Sequence, residues 1–168
     1  MFAALVRSQN DIMALAATLG SLVEGAAAGL IGHAVVILPE GPTRNELERL
    51  SDATGADMIT ASASSIDDWK RAASQARGDW VVILNAGEVF TQGWISAIER
   101  HAITSGGKAG FIPLAGWRGV VEFTKLRLFP RNIQSGHVMP ISTMMSGAAS
   151  GGMHHKYIRL GVRRETIG

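Results

Sequence analysis

Short, continuous apolar runs alternate along the chain with longer segments in which apolar residues recur every three or four positions. Phe2–Val6, Ala34–Leu38 and Trp80–Leu84 are runs of the first kind and predict strands covered on both faces. Met58–Ala61 and Gly110–Leu114 are shorter candidates. Between the runs, Ile12, Leu15, Ala16, Leu19, Leu22 and Val23 stand at helical spacing, behind Asn10 or Asp11 as a cap. Thr43 and Glu46 form a capping-box pattern that opens a helix ending near Gly55. Ser65 caps a helix over Ile66–Ala76, with Asp67 and Asp68 well placed for its dipole. Gly93–Thr104 is a further helix, with Trp94, Ile95 and Ile98 on one side. Strands alternating with helices of this length predict an α/β fold, a three-layer α/β/α sandwich around a mostly parallel sheet. Such sheets bind ligands beyond the carboxyl ends of their strands. The loops to inspect are therefore Arg7–Asp11, Pro39–Arg44 and Asn85–Phe90.

The pattern changes after Gly116. Val120–Phe129 mixes apolar and charged residues at period two and reads as one strand or a hairpin. Asn132–His155 contains no Lys, Arg, Asp or Glu, and holds four of the seven methionines: Met139, Met144, Met145 and Met153. It reads as a flexible loop or lid with one short helix near Ile141–Met145. Its methionines suit an adaptable apolar binding surface, or simply a loop packed on the core. Tyr157–Val162 reads as a closing strand. No internal repeat appears, and residues 1–168 are expected to form a single domain.

Composition narrows the class. An apolar fraction of 46% against 18% charged residues excludes a disordered chain. The absence of cysteine excludes disulfides, zinc–thiolate sites and a thiol nucleophile. No basic segment precedes the first apolar run, and no apolar stretch reaches 18 residues, so a cytoplasmic chain without a membrane span is expected. Charge is divided unevenly. Residues 1–100 carry 7 Lys/Arg and 12 Asp/Glu, whereas residues 101–168 carry 9 and 2. A basic second part suits an anionic partner, namely phosphate groups, nucleic acid or the inner face of a membrane. No interleaved aromatic platform accompanies it, which argues against nucleic acid. The first strand–helix turn, Arg7-Ser8-Gln9-Asn10-Asp11, has no glycine, no Walker A loop occurs, and no G-x-S-x-G elbow follows a strand. Nicotinamide enzymes, P-loop NTPases and α/β-hydrolases are thereby disfavoured.

The three loops, in their order and spacing, resemble the nucleotide-binding half of family 2 glycosyltransferases, the GT-A fold. Arg7-Ser8-Gln9-Asn10-Asp11 stands where that family has "P-x-Y-N-E". Val35–Leu38 followed by Pro39-Glu40-Gly41-Pro42-Thr43-Arg44 stands where it has a strand and "D-D-G-S-x-D". Ala76-Arg77-Gly78-Asp79-Trp80 matches the lead-in "A-x-G-[DE]-[WY]", and Val81–Leu84 with Asn85-Ala86-Gly87-Glu88 occupies the strand ending in "D-A-D". Gly93-Trp94 opens the next helix as "P-G-W" does. The resemblance covers residues 1 to about 104, the nucleotide-binding-like half; residues 105–168 would form a reduced acceptor-side half.

The resemblance implies a donor site for a nucleotide-diphosphate sugar at Asn10, Asp11, Glu40, Asn85 and Glu88. It implies transfer of a hexose to a lipid or polysaccharide acceptor, in bacterial envelope synthesis, with Mg²⁺ or Mn²⁺ at the D-x-D carboxylates. Here those two positions are Asn85 and Gly87, and the motif is degenerate: Glu88 is its only carboxylate and sits one residue late. Hard divalent ions want carboxylate oxygens, so Glu88, completed by His154, is the candidate metal pair. Lys125, Arg127, Arg131, Arg163 and Arg164 are candidates to neutralise the diphosphate instead. Only Glu122 and Glu165 follow residue 100 as possible bases, and neither lies in the family's acceptor pattern. An inactive homologue, keeping the scaffold as a binding or assembly partner of a protein or of its own copies, is therefore the rival reading.

Overall fold

The computed structural model describes residues 1–128, 133–146 and 158–167. Strand β1 (Phe2–Arg7) leads through α1 (Ile12–Ala27) to β2 (Ile31–Leu38), and through α2 (Arg44–Ala53) to β3 (Asp57–Thr60). Helix α3 (Ser65–Gln75) then carries the chain back to β4 (Trp80–Asn85). A tight turn gives β5 (Glu88–Phe90), then come α4 (Trp94–Thr104), β6 (Gly110–Phe111) and α5 (Gly116–Leu128). The remaining elements are β7 (His137–Pro140), α6 (Ile141–Met145), β8 (Ile158–Arg159) and β9 (Arg164–Thr166).

Seven strands form one sheet in the order β3-β2-β1-β4-β7-β6-β8, and β5 pairs with β9 in a small antiparallel ribbon. Within the large sheet only β7 runs antiparallel to its neighbours β4 and β6. The order reverses between β1 and β4, which pair in parallel with Arg7 opposite Asn85. Alternate residues of β1 serve opposite faces. Ala4 and Val6 pack with Leu15, Leu19 and Leu22 of α1, Leu47 of α2 and Ile98 of α4. Ala3 and Leu5 pack with Trp69, Ala72 and Ala73 of α3 and Met144 of α6. Helices thus cover both faces, as the doubly apolar strands require. Each fully buried Val, Leu or Ile contributes about 1.5–3 kcal/mol. A Cβ at Gly25 would collide with the indole of Trp94, so α4 can seat on α1 only where α1 is bare.

Several local expectations are corrected. Residues 116–128 form a helix, not the strand or hairpin read over Val120–Phe129. The apolar positions there fit either period, and Glu122, turned inward to accept from the Leu114 amide at 3.0 Å, fits the helix. Within the uncharged 132–155 segment, residues 137–140 are a strand in the sheet interior rather than a loop. The short helix at Ile141–Met145 is present, while residues 147–155 lie outside the described residues. Ser64, not Ser65, caps α3. Thr43 makes no capping bond; its hydroxyl donates to Asn10 Oδ1 at 3.3 Å. No helix among the described residues is long and apolar enough to cross a membrane.

Candidate functional site at the ends of strands one and four

Three strand ends meet at the reversal point. The Ser8 amide donates to the Ile37 carbonyl at 3.0 Å, and the Ala86 amide to the Arg7 carbonyl at 2.8 Å. The loops after β1, β2 and β4 are thereby held side by side. A cleft of about 460 Å³ opens there, between the ends of β1 and β4, α3 and α5, and the loop after β2 does not line it. Its floor carries Arg7 and Asn85; its walls include Trp69, Trp117, Arg118 and Gln134.

Arg7 is aimed by α3. Its Nη2 donates to Asp68, which is fully buried and also accepts from the Ser62 amide at 2.8 Å. The guanidinium lies 5.5 Å from the centre of the Trp69 ring, close enough for cation–π attraction. Arg7 Nε and Gln134 Nε2 are buried with no hydrogen-bond partner among the described residues, a state rare enough in a folded chain to call for an explanation. On the opposite wall Trp117 is 73% exposed. Arg118 beside it is exposed too and donates to Thr166 Oγ1 at 3.1 Å.

Beneath the cleft lies a buried ion network. Gly87, at φ +88°, turns the chain from β4 into β5 and sends Glu88 inward. Glu88 Oε1 accepts from Ser135 Oγ at 2.9 Å and Asn85 Nδ2 at 3.3 Å. Its Oε2 accepts from the Asn85 amide at 3.1 Å and from Arg164 Nη1. Arg164 has no exposed surface; its Nη2 reaches Glu122 at 2.7 Å and its Nε the Ile112 carbonyl at 2.7 Å. One guanidinium therefore stands between two carboxylates, with every Glu88 oxygen occupied by protein donors.

No family model and no curated protein matches the chain. Solved structures do. Glucosyl-3-phosphoglycerate synthase from Mycobacterium tuberculosis, in complex with Mg²⁺ and UDP, superposes with a TM-score of 0.67 at 13% identity. That match covers all of this chain and 72% of the other. The same enzyme with Mn²⁺, UDP and phosphoglyceric acid gives 0.64 at 13% identity, over 84% of this chain and 56% of the other. A mycobacterial protein gives 0.63 at 12% identity, over 100% and 67%. The fold is GT-A. The chain spans from just over half to about seven tenths of the length of these structures, between 56% and 72%.

On the GT-A scaffold the expected donor residues are distributed as follows. Asn85 lies in the cleft floor. Asn10, at φ +56°, meets the second loop through Thr43, and Glu40 on that loop pairs with Arg44 at 2.9 Å while 73% exposed. Asp11 caps α1 by accepting from the Ala14 amide at 3.0 Å. Glu88 is buried beneath the cleft. Of the expected cations, Arg164 is buried in the same network, where no diphosphate at the surface could touch it. Arg163 is exposed outside the cleft lining, its backbone bonded to Thr91. The side chains of Lys125 and Arg127, and the whole of Arg131 and His154, lie outside the described residues. Among the described lining residues, the cleft's arginines are Arg7 and Arg118. Arg7 had a legible signal, as the last residue of an apolar strand; Arg118 had none once residues 120–129 were read as a strand.

The residues present do not fit a divalent ion at the strand-four turn. Asn85 offers a neutral amide, Gly87 no side chain, and Glu88 a carboxylate already satisfied. No group of three or more His, Asp or Glu able to hold a metal occurs among the described residues.

Proposed function

We propose that the chain binds a nucleotide-diphosphate sugar in the cleft at the ends of β1 and β4. The observation that carries this is the placement of two arginines, a free-faced tryptophan and the Asn85 amide around one cleft at the sheet's reversal point. Arginine forks match phosphate oxygens in pairs. An exposed indole offers a flat apolar face to a base or sugar ring. The solved GT-A structures it resembles hold UDP or UDP-glucose, which supports the same class of ligand here. In the lead reading the hexose passes to a lipid or polysaccharide acceptor, and Arg7 and Arg118 stabilise the departing diphosphate.

One observation favours the second reading, a binding or assembly partner without turnover. Glu122 is the carboxylate that lines the cleft, and both of its oxygens are engaged, one by the Leu114 amide and one by Arg164. An acceptor hydroxyl would find no ready base among the described lining residues.

Calorimetry with UDP, GDP, CDP and their sugars tests binding. Saturable binding of one nucleotide is expected, weakened about tenfold or more by Arg118→Ala, since a charge-assisted bond contributes about 1.5–3 kcal/mol. Glu40→Ala probes the second loop in the same assay, where an unchanged affinity removes Glu40 from the site. No binding of any nucleotide to folded protein would end the proposal. Release of free nucleoside diphosphate on adding acceptor fractions separates the transferase from the silent binder.

A further inference from the structure

The poor fit to a divalent ion leaves the question of what the buried network at the strand-four turn does. We infer that Arg164 is the resident cation of this turn, and that a nucleoside diphosphate is bound here without a metal ion. The inference rests on the reading of the cleft as a diphosphate site.

Four observations carry it. Arg164 is fully buried and its guanidinium bridges Glu88 and Glu122. Glu88 is the carboxylate of the very turn that would have to supply an ion's ligands, and its oxygens accept from Arg164, Ser135 and Asn85. The place for the guanidinium is built into the backbone. At Gly136, φ is +90°, and a Cβ would stand 2.5 Å from Arg164 Nη2. Finally, Arg164 is held from both sides by main-chain bonds. Its amide donates to the Pro113 carbonyl at 2.9 Å, its carbonyl accepts from the Ala115 amide at 2.7 Å, and β9 pairs with β5.

A metal ion would have to take Glu88 from this guanidinium and leave a buried charge unpaired, which is costly in a low-dielectric interior. The turn is therefore closed to metal from within. The positive charge presented to a ligand comes instead from Arg118, beside Arg7, which is itself paired with Asp68; both side chains border the cleft above it.

Two titrations test this separately. The first follows UDP and UDP-glucose binding in EDTA and in millimolar Mn²⁺. Dissociation constants agreeing within about twofold are expected. Binding seen only with Mn²⁺ overturns the inference while leaving the nucleotide reading intact. The second follows Mn²⁺ alone, by the paramagnetic resonance signal of the free ion and by thermal shift, with no nucleotide present. The wild-type protein is expected to take up none at this turn. Uptake abolished by Glu88→Gln overturns the inference whether or not any nucleotide binds. Absence of nucleotide binding under every condition, by contrast, removes the claim about ligands together with the reading it rests on. Arg164→Met, which frees both carboxylates, is expected to gain a rise in melting temperature with Mn²⁺ that the wild type lacks. Arg164→Lys keeps a charge in place and is expected to gain none. A wild-type melting temperature raised by Mn²⁺ through Glu88 speaks against the proposal even if Arg164→Met does not fold.

Discussion

A single methyl group at Gly136 would undo the buried network. Its positive φ is strained for any other residue, and the added Cβ would press on Arg164 Nη2 and on the Ile112 carbonyl at 2.6 Å. Gly136→Ala is expected to cost about 2–4 kcal/mol, read from the urea midpoint. A loss within about 0.5 kcal/mol, the range of an ordinary surface change, would mean that the socket is looser than this geometry. Removing Arg164 itself leaves the buried Glu88 and the partly buried Glu122 without their cation, and Arg164→Ala should cost about 3–5 kcal/mol in the same measurement. His101 makes a different kind of prediction. Burial pulls its pKa below the ordinary 6.5, and the bond it donates to the Lys108 carbonyl opposes this in part. The folded chain therefore holds this ring neutral, and the unfolded chain binds the proton more readily. Stability is full above about pH 6.5 and is lost as pH falls through the window down to the folded value. Unfolding midpoints measured from about pH 8 to about pH 5 should fall less steeply in His101→Gln, which cannot titrate. Parallel curves would remove His101 from the account of acid sensitivity.

At the scale of elements, α1 does more than cover the sheet. Thr18, buried on its inner face, accepts from the Gly87 amide at 2.9 Å and donates to the Glu88 carbonyl at 3.0 Å. It ties the helix to the turn on which Glu88 depends. Thr18→Val keeps the shape but strands the Glu88 carbonyl and leaves the Gly87 amide only its second bond, to the Ala14 carbonyl at 2.9 Å, at a cost of about 1–3 kcal/mol. Hydrogen exchange at the Gly87 amide should rise in that variant, and an unchanged rate would show that the Ala14 carbonyl of the same helix holds the turn without Thr18. The central elements were legible because their chemistry is local. Phe2–Val6, Ala34–Leu38 and Trp80–Leu84 are short, apolar on both faces and mostly rich in β-branched residues, which favours interior strands over buried helices. Strand β7 was not legible: four residues, His137-Val138-Met139-Pro140, have neither an alternating pattern nor a flanking charge. Helix α5 was misread because its inward Glu122 looks, in sequence, like a solvent-facing residue of a strand. Its partners, the Leu114 amide and Arg164, are long-range contacts that no local pattern contains.

Across the whole molecule, the division into an acidic first part and a basic second part is settled partly inside the fold. Arg164 from the basic part neutralises Glu88 from the acidic part, and Arg118 comes to border a cleft floored by Arg7 and Asn85. Counting charges along the chain pointed to an external anion; the folded arrangement leaves Arg118 of the basic part at the cleft, beside an Arg7 paired with Asp68. The sheet order places that cleft at the ends of β1 and β4, and the turn after β4 sets which side chains lie beneath it. Nothing in a motif of four residues, Asn85-Ala86-Gly87-Glu88, says that Glu88 faces inward, because the reason is Arg164, 76 positions further on.

That separation has a consequence for how the protein is made. During synthesis the strands β1, β2 and β4 and their helices emerge and can pair well before Arg164 leaves the ribosome. Until then Glu88 has no cation, although α1 already holds the strand-four turn through Thr18. The turn beneath the cleft therefore reaches its final form after the central strands β1, β2 and β4 have emerged. A nascent chain carries a nearly complete sheet with an unfinished site, and the same short strand that closes the ribbon with β5 delivers the charge that completes it.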